Sequence, residues 1–112
     1  MQYALLIYDD PGQWENIPED EYKAIYADYV AVSNLPETQS GQQLQGVETA
    51  RSVRVKDGER VVTDGPFADT KEALGGFYLI EAATLEAAED IAARIPSARM
   101  GGTVEVRPVV AM

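Results

Sequence analysis

The sequence predicts an α+β domain in which two helices cover one face of an antiparallel sheet. Three observations carry this expectation. Segments near both ends and past the middle alternate apolar residues at the period of a strand, two stretches repeat them at the period of a helix, and an Asp-Gly pair joins two valine-rich runs as a hairpin turn does. The 112 residues, 46% of them apolar, suit a single domain spanning 1–112 with one core.

Residues Gln2 to Tyr8 place Tyr3, Leu5 and Ile7 on one face and Ala4, Leu6 and Tyr8 on the other, so both sides of this strand need cover. Asp9-Asp10-Pro11-Gly12 then forces a turn, and Trp14 in the following loop reads as a lid on the core in preference to a ligand platform. Asn16 and Glu19 have the spacing of a capping box, Pro18 fits a first helical turn, and Glu19, Asp20 and Glu21 set negative charge at the positive end of the dipole. Tyr22, Ile25, Tyr26, Tyr29 and Val30 recur at helical steps, and Pro36 ends the helix. That stripe either packs on the sheet or lines a cavity with tyrosine hydroxyls.

From Glu37 to Thr49 the chain turns polar, and a loop with one short edge strand is expected. Arg51 to Lys56 and Glu59 to Asp64 form a hairpin through Asp57-Gly58, with Val53 opposite Val62 if the turn has two residues. Arg51, Arg54, Lys56 and Arg60 are expected on one exposed, basic side of that ribbon. Gly76 to Ala82 is again apolar on both faces, with Phe77 and Leu79 opposed to Tyr78, Ile80 and Ala82. Thr84 offers an N-cap to a second helix whose stripe is Leu85, Ala88, Ile91, Ala92 and Ile95, closed by Pro96. A small-residue loop from Ser97 to Gly102 leads to the last strand, in which Val104 and Val106 point inward and Pro108 indicates pairing over only part of its length or a position at an edge.

Two helices cover one sheet face only, although the first and central strands are apolar on both. The second face is therefore expected to be covered by a second copy of the chain, in a two-fold homodimer.

Composition narrows the function classes. Nineteen acidic residues against nine basic ones give a formal net charge of -10, which disfavours nucleic acid and anionic membrane surfaces as partners. No apolar run approaches the roughly 18 residues of a membrane span, and no export signal is read at the N-terminus, so a cytoplasmic location is expected. The chain has no cysteine and no histidine. Thiolate nucleophiles, histidine bases and histidine-ligated metals are thereby excluded, leaving Asp, Glu, Lys, Arg, Tyr and backbone groups for any chemistry. Asp9, Asp10, Asp64 and Asp69 have no recognised metal-binding spacing, so no metal and no cofactor are expected.

The most concentrated polar chemistry lies in Asp64-Gly65-Pro66-Phe67-Ala68-Asp69-Thr70-Lys71-Glu72, followed by Leu74-Gly75-Gly76-Phe77-Tyr78-Leu79-Ile80. Asp64 at a strand end is a candidate acid or base, or the acceptor that closes its own Asp-Gly-Pro turn. Tyr8, Tyr22, Tyr26, Phe67 and Tyr78 are candidates to line a substrate cavity between the first helix and the sheet, and Lys71 and Arg99 to hold a carboxylate ligand. Gly75-Gly76 reads as a bulge entering the strand or as room for a ligand to approach the backbone, without the strand-to-helix context of a phosphate loop.

This central motif resembles the YCII-related family, in particular its DGPF-motif branch. Tyr3 to Tyr8 resembles the family's opening strand and Gly102 to Pro108 its closing one, so the likeness covers nearly the whole chain. The resemblance implies a ferredoxin-like fold assembled as a dimeric α+β barrel. In the wider family a His-Asp pair has been thought catalytic, and with no histidine here only the acid, Asp64, carries over. Two functions follow as expectations: a domain binding a small organic molecule near the Asp64 loop with Asp64 as acid or base, or a non-catalytic ligand-sensing or protein-interaction module, such as an accessory to a transcription sigma factor. Whether the protein is an enzyme is left open by the residues.

Overall fold

The computed structural model describes residues 1–65 and 71–111. In chain order it contains β1 (Gln2–Asp9), α1 (Glu19–Ser33), β2 (Thr38–Gln43), β3 (Arg51–Lys56), β4 (Glu59–Asp64), β5 (Ala73–Glu81), α2 (Leu85–Ala92) and β6 (Thr103–Pro108). A four-stranded antiparallel sheet has the order β2-β5-β1-β6, and β3 and β4 form a separate two-stranded ribbon. Without the ribbon this is the split βαβ arrangement of a ferredoxin-like α+β fold. Among the described residues no helix is long and apolar enough to cross a membrane.

The core lies on the helix face of the sheet. Tyr3, Leu5 and Ile7 of β1 and Tyr78 and Ile80 of β5 pack under Val32 of α1 and Ala88, Ile91 and Ala92 of α2, with Ile95 fully buried just beyond. Strand alternation makes this possible, since the same strands send Ala4, Leu6, Phe77 and Leu79 to the opposite face. Truncating Leu5, Ile80 or Ile95 to alanine in such surroundings costs about 2–5 kcal/mol. The molecule is only 19 Å across its shortest axis, the thickness of one sheet and one helical layer.

Several expectations hold in the coordinates. Thr84 caps α2, its hydroxyl accepting a hydrogen bond from the Ala87 amide at 3.1 Å. Val53 faces Val62, and the turn takes the mirror-image form that matches strand twist, with φ of 52° at Asp57 and 80° at Gly58. β2 is the polar edge strand and β6 the opposite edge, ending at Pro108.

Other expectations are corrected. Asn16 does not cap α1; it adopts a left-handed φ of 57° in the preceding turn, a conformation a short polar side chain tolerates, and Pro18 occupies the cap without a side-chain bond. The stripe of α1 splits. Ile25 and Val32 are buried and Tyr29 half-buried, whereas Tyr22, Tyr26 and Val30 stand exposed on a flank, because the helix overhangs the sheet edge. Leu85 at the start of α2 is likewise exposed. The ribbon has no single basic side: cross-strand partners share a face, so Arg51 and Arg60 lie with Val53, Val55 and Val62, and Arg54 and Lys56 with Val61. The stretch after Pro96 is no simple loop, since residues Pro96–Arg99 form a 3₁₀ turn with Ser97 fully buried.

The ribbon projects from the body, and the radius of gyration of 15.9 Å exceeds the roughly 13 Å of a compact chain of this length. Its base is sealed by two hydrogen bonds of 2.8 Å, from the Gly65 amide to the Ala50 carbonyl and from the Ser52 hydroxyl to the Gly65 carbonyl. Beyond that base it has no buried residue of its own.

Candidate functional site

A cavity of about 720 Å³ opens between α1 and the β2-β5 edge of the sheet, within the size range of small-molecule sites. The overhang of α1 creates it. Tyr22, Tyr26 and Tyr29 follow one another at four and three residue steps along the helix flank, and Trp14 reaches in from the preceding turn. The rings pack together: Trp14 meets Tyr22 edge-on with centroids 6.2 Å apart and lies nearly parallel to Tyr29 at 6.4 Å. The opposite wall is largely backbone and glutamine from β2 and the glycine-rich start of β5. Tyr78 closes the inner end, its hydroxyl donating to the Tyr29 carbonyl at 3.2 Å and lying 3.1 Å from the Ser33 hydroxyl.

One carboxylate is built into this wall. Asp9 ends β1 and continues the inward alternation of Tyr3, Leu5 and Ile7, so it reaches the helix side of the sheet where that layer runs out. Its Oδ1 accepts hydrogen bonds from Gln13 Nε2 and Ser97 Oγ, each at 2.8 Å. The Ser97 hydroxyl also lies 3.0 Å from the Tyr8 carbonyl, and Gln13 Oε1 accepts from the Asp10 amide at 2.8 Å, so the whole turn is tied to the acid. Burial pushes the Asp9 carboxyl above its ordinary value, with Glu72 adding to the rise, while the bonds from Ser97, Gln13 and Trp14 hold part of it back. Beside it, burial and the Asp9 charge push the Tyr29 phenol up to about 12.

Gly75 makes room for that acid. The pairing of β1 with β5 slips between Ile7 and Tyr8, leaving Gly75 as the extra residue of a bulge. A Cβ at this position would press on the Asp9 carboxylate, and one at Gly76 would meet the Gln42 carbonyl oxygen at 2.8 Å. The bulge reading of the glycine pair is therefore realised at Gly75, while Gly76 is held tight against the neighbouring strand β2.

The candidates named from the sequence do not converge on one site. Tyr22, Tyr26 and Tyr78 line the cavity. Tyr8 and Lys71 lie instead at a shallow hollow shared with Glu72, Thr103 and Glu105, and Lys71 Nζ sits 3.9 Å from Asp10 Oδ2 with most of its side chain in water. Arg99 pairs with Asp28 at 2.7 Å and is not among the cavity residues. Asp64 stands at the base of the ribbon, 87% exposed, 3.0 Å from Arg51 Nε, and lines neither hollow. Phe67 lies outside the described residues. Asp9, Gln13, Trp14 and Ser97 were not singled out as site residues. The available signal for Asp9 was an acid placed in register with three inward apolar residues; nothing local marked Ser97.

A model of the YCII-related domain matches residues 1–112, the full length of the chain. The chain belongs to the YCII-related family. A similar protein, from Rhizobium meliloti (strain 1021) and described as uncharacterized, is 36% identical over 115 residues, which cover 97% of this chain and 92% of that one. In this YCII-related domain, which lacks histidine, Asp9, Asp10 and Glu48 are the acids of the cavity wall, and Asp9 is the one held by the side chains of Ser97 and Gln13.

Proposed function

We propose that this YCII-related domain binds a small organic molecule in the cavity beside α1, with Asp9 as the side chain able to exchange a proton with it. The observation that carries the reading is the half-buried Asp9 carboxylate, fixed by Ser97 and Gln13 in the wall of an aromatic cavity. Its proton affinity is shifted upward, the direction that favours a carboxyl group acting as a general acid or base. Asp64, the acid of the DGPF-type motif, is the alternative; its exposure and its pairing with Arg51 favour a role in holding the ribbon base.

Trp14 is the only tryptophan in the chain and lines the cavity, so its emission reports occupancy. The test is a titration with neutral, cationic and anionic single-ring and small aliphatic compounds. At least one should change Trp14 emission and raise the melting temperature, with Tyr26→Ala weakening the effect and Asp64→Asn leaving it intact. A panel that leaves emission and melting unchanged, or an effect lost in Asp64→Asn and kept in Tyr26→Ala, would overturn the reading.

The same proposal includes a homodimer formed through the sheet face away from the helices. Ala4, Leu6, Phe77 and Leu79 sit there as adjacent cross-strand pairs, Ala4 opposite Leu79 and Leu6 opposite Phe77. Polar neighbours surround them: Ser40 and Gln42 on one side, Glu105 and Arg107 on the other. A central apolar strip with a polar rim is the composition of a protein interface, and a two-fold axis would bury it against itself. The lack of cysteine suits a reducing, cytoplasmic setting.

One observation favours the second reading, an interaction module. Val53, Val55, Val61 and Val62 are all exposed on a ribbon with no core, and an isolated two-stranded hairpin is marginal in water. Val55→Lys should then alter assembly or partner capture and leave cavity binding unchanged.

A further inference from the structure

We propose that the ligand of this cavity is an organic cation, a small alkylated ammonium compound held against the tyrosine and tryptophan faces. The inference rests on the reading of the cavity as a small-molecule site and adds the charge class of what it takes.

Two independent features point the same way. The first is the ring arrangement. Trp14, Tyr22, Tyr26 and Tyr29 form a wall of four electron-rich rings, with Trp14 and Tyr22 edge-on at 65° and Trp14 and Tyr29 close to parallel at 28°. Quaternary ammonium groups are recognised by clusters of such rings, whose faces carry the negative end of the aromatic quadrupole. Tyr22 and Tyr26 are 53% and 65% exposed, so much of each side chain is accessible to a guest.

The second is the sign of the lining charges. Asp9, Asp10 and Glu48 line the cavity, and no lysine or arginine does so among the described residues. Two cations come near without lining it: Lys71, 3.9 Å from Asp10 and 88% exposed, on a side chain able to swing into water, and Arg99, which is paired with Asp28. The chain carries a net charge of -10, so the field at the opening attracts cations and repels carboxylates and phosphates. An anion here would find no donor of opposite charge in the wall; a neutral ring would leave the acids unused. An alkylammonium group meets both features, its methyls on the rings and its charge facing the acids.

The probe is choline, compared with 3,3-dimethyl-1-butanol, its uncharged carbon counterpart of nearly the same shape, and with benzoate. Binding is followed by calorimetry and by Trp14 emission. Choline should bind about tenfold or more tightly than the alcohol, an effect within the range of a desolvated cation on aromatic faces. Benzoate should not bind. Two variants keep the outcome tied to the geometry. Tyr26→Leu, on an exposed flank of α1, and Asp10→Asn, which keeps the acceptor for the Gly12 amide, should each weaken choline several-fold and leave the alcohol unchanged. Equal binding of choline and the alcohol, or preference for benzoate, would overturn the charge class while the small-molecule reading stands. Silence of all three probes in a protein that binds other neutral or anionic members of the panel would do the same, and silence of the whole panel would remove both.

Discussion

The Ser97 hydroxyl lies 2.8 Å from Oδ1 of Asp9, although the two residues are 88 positions apart in the chain. Ser97 is fully buried, and its Oγ also reaches the Tyr8 carbonyl and accepts from Gln13 at 3.2 Å. One hydroxyl thus fastens the turn after β1 to the segment between α2 and β6. Ser97→Ala removes the one proton for which the Asp9 carboxylate and the Tyr8 carbonyl compete, and with it an acceptor for Gln13 Nε2. The variant should lose about 1–3 kcal/mol of stability by urea unfolding. The Asp9 titration, followed by carboxyl carbon NMR, should move further upward, since Ser97 is among the groups holding it down.

Asp9 also gives stability a pH dependence of defined sign. Its folded-state proton affinity is raised above the unfolded value of 3.8, chiefly by burial. The folded chain therefore binds more protons at this site than the unfolded chain, and the contribution is full below 3.8 and lost as pH rises through the raised value. Asp9→Asn should abolish this component. The difference in melting temperature between Asp9→Asn and the wild type should grow in favour of the variant as pH climbs from below 4 towards neutrality; a pH-independent difference would show that Asp9 titrates as a free carboxyl.

Tyr29 acts at the other end of the scale. Burial, with the Asp9 charge second, pushes its phenol from 10.0 up to about 12. Between those values the unfolded chain has lost the proton and the folded chain keeps it, so stability falls as pH rises through this interval. Tyr29→Phe should flatten the loss of melting temperature between pH 10 and 12 relative to wild type. Because the ring is only half-buried, solvent screening keeps the effect modest.

Gly75 should resist substitution for a reason visible at Asp9. A methyl group there would push on a carboxylate already held by three side chains, so Gly75→Ala should shift the Asp9 titration and the Trp14 emission together. A Gly58→Ala control strains only the ribbon turn, where φ is 80° and the space around is open, and should cost about 1 kcal/mol without touching either signal.

The outer sheet face gives the assembly prediction. Light scattering should return twice the 12.2 kDa chain mass at micromolar concentration, and Leu6→Asp, which sets a charge opposite Phe77, should return the single mass. A wild-type monomer would remove the dimer from the proposal, and since Phe77 alone of the strip residues is among those lining the cavity, the cavity reading would remain.

The sequence by itself determined the elements of this YCII-related domain and much of their facing. Strand alternation grouped Tyr3, Leu5 and Ile7 on one face of the first strand and Tyr78 and Ile80 on one face of the central strand, Thr84 announced its helix, and Asp57-Gly58 set Val53 against Val62, because each of these follows from backbone geometry over a few residues. The tertiary structure decided where the acid of the cavity lies. The motif drew attention to Asp64, a position that is solvated at the foot of a ribbon, whereas Asp9 gains its character from Ser97, Gln13, Trp14 and the bulge at Gly75. It also decided that the tyrosines of α1 divide between core and cavity, since the overhang of a helix past a sheet edge depends on how the two pack and not on the helical period they share. Desolvation and long-range hydrogen bonding are properties of assembled neighbours, and neither leaves a mark on the residues taken in order.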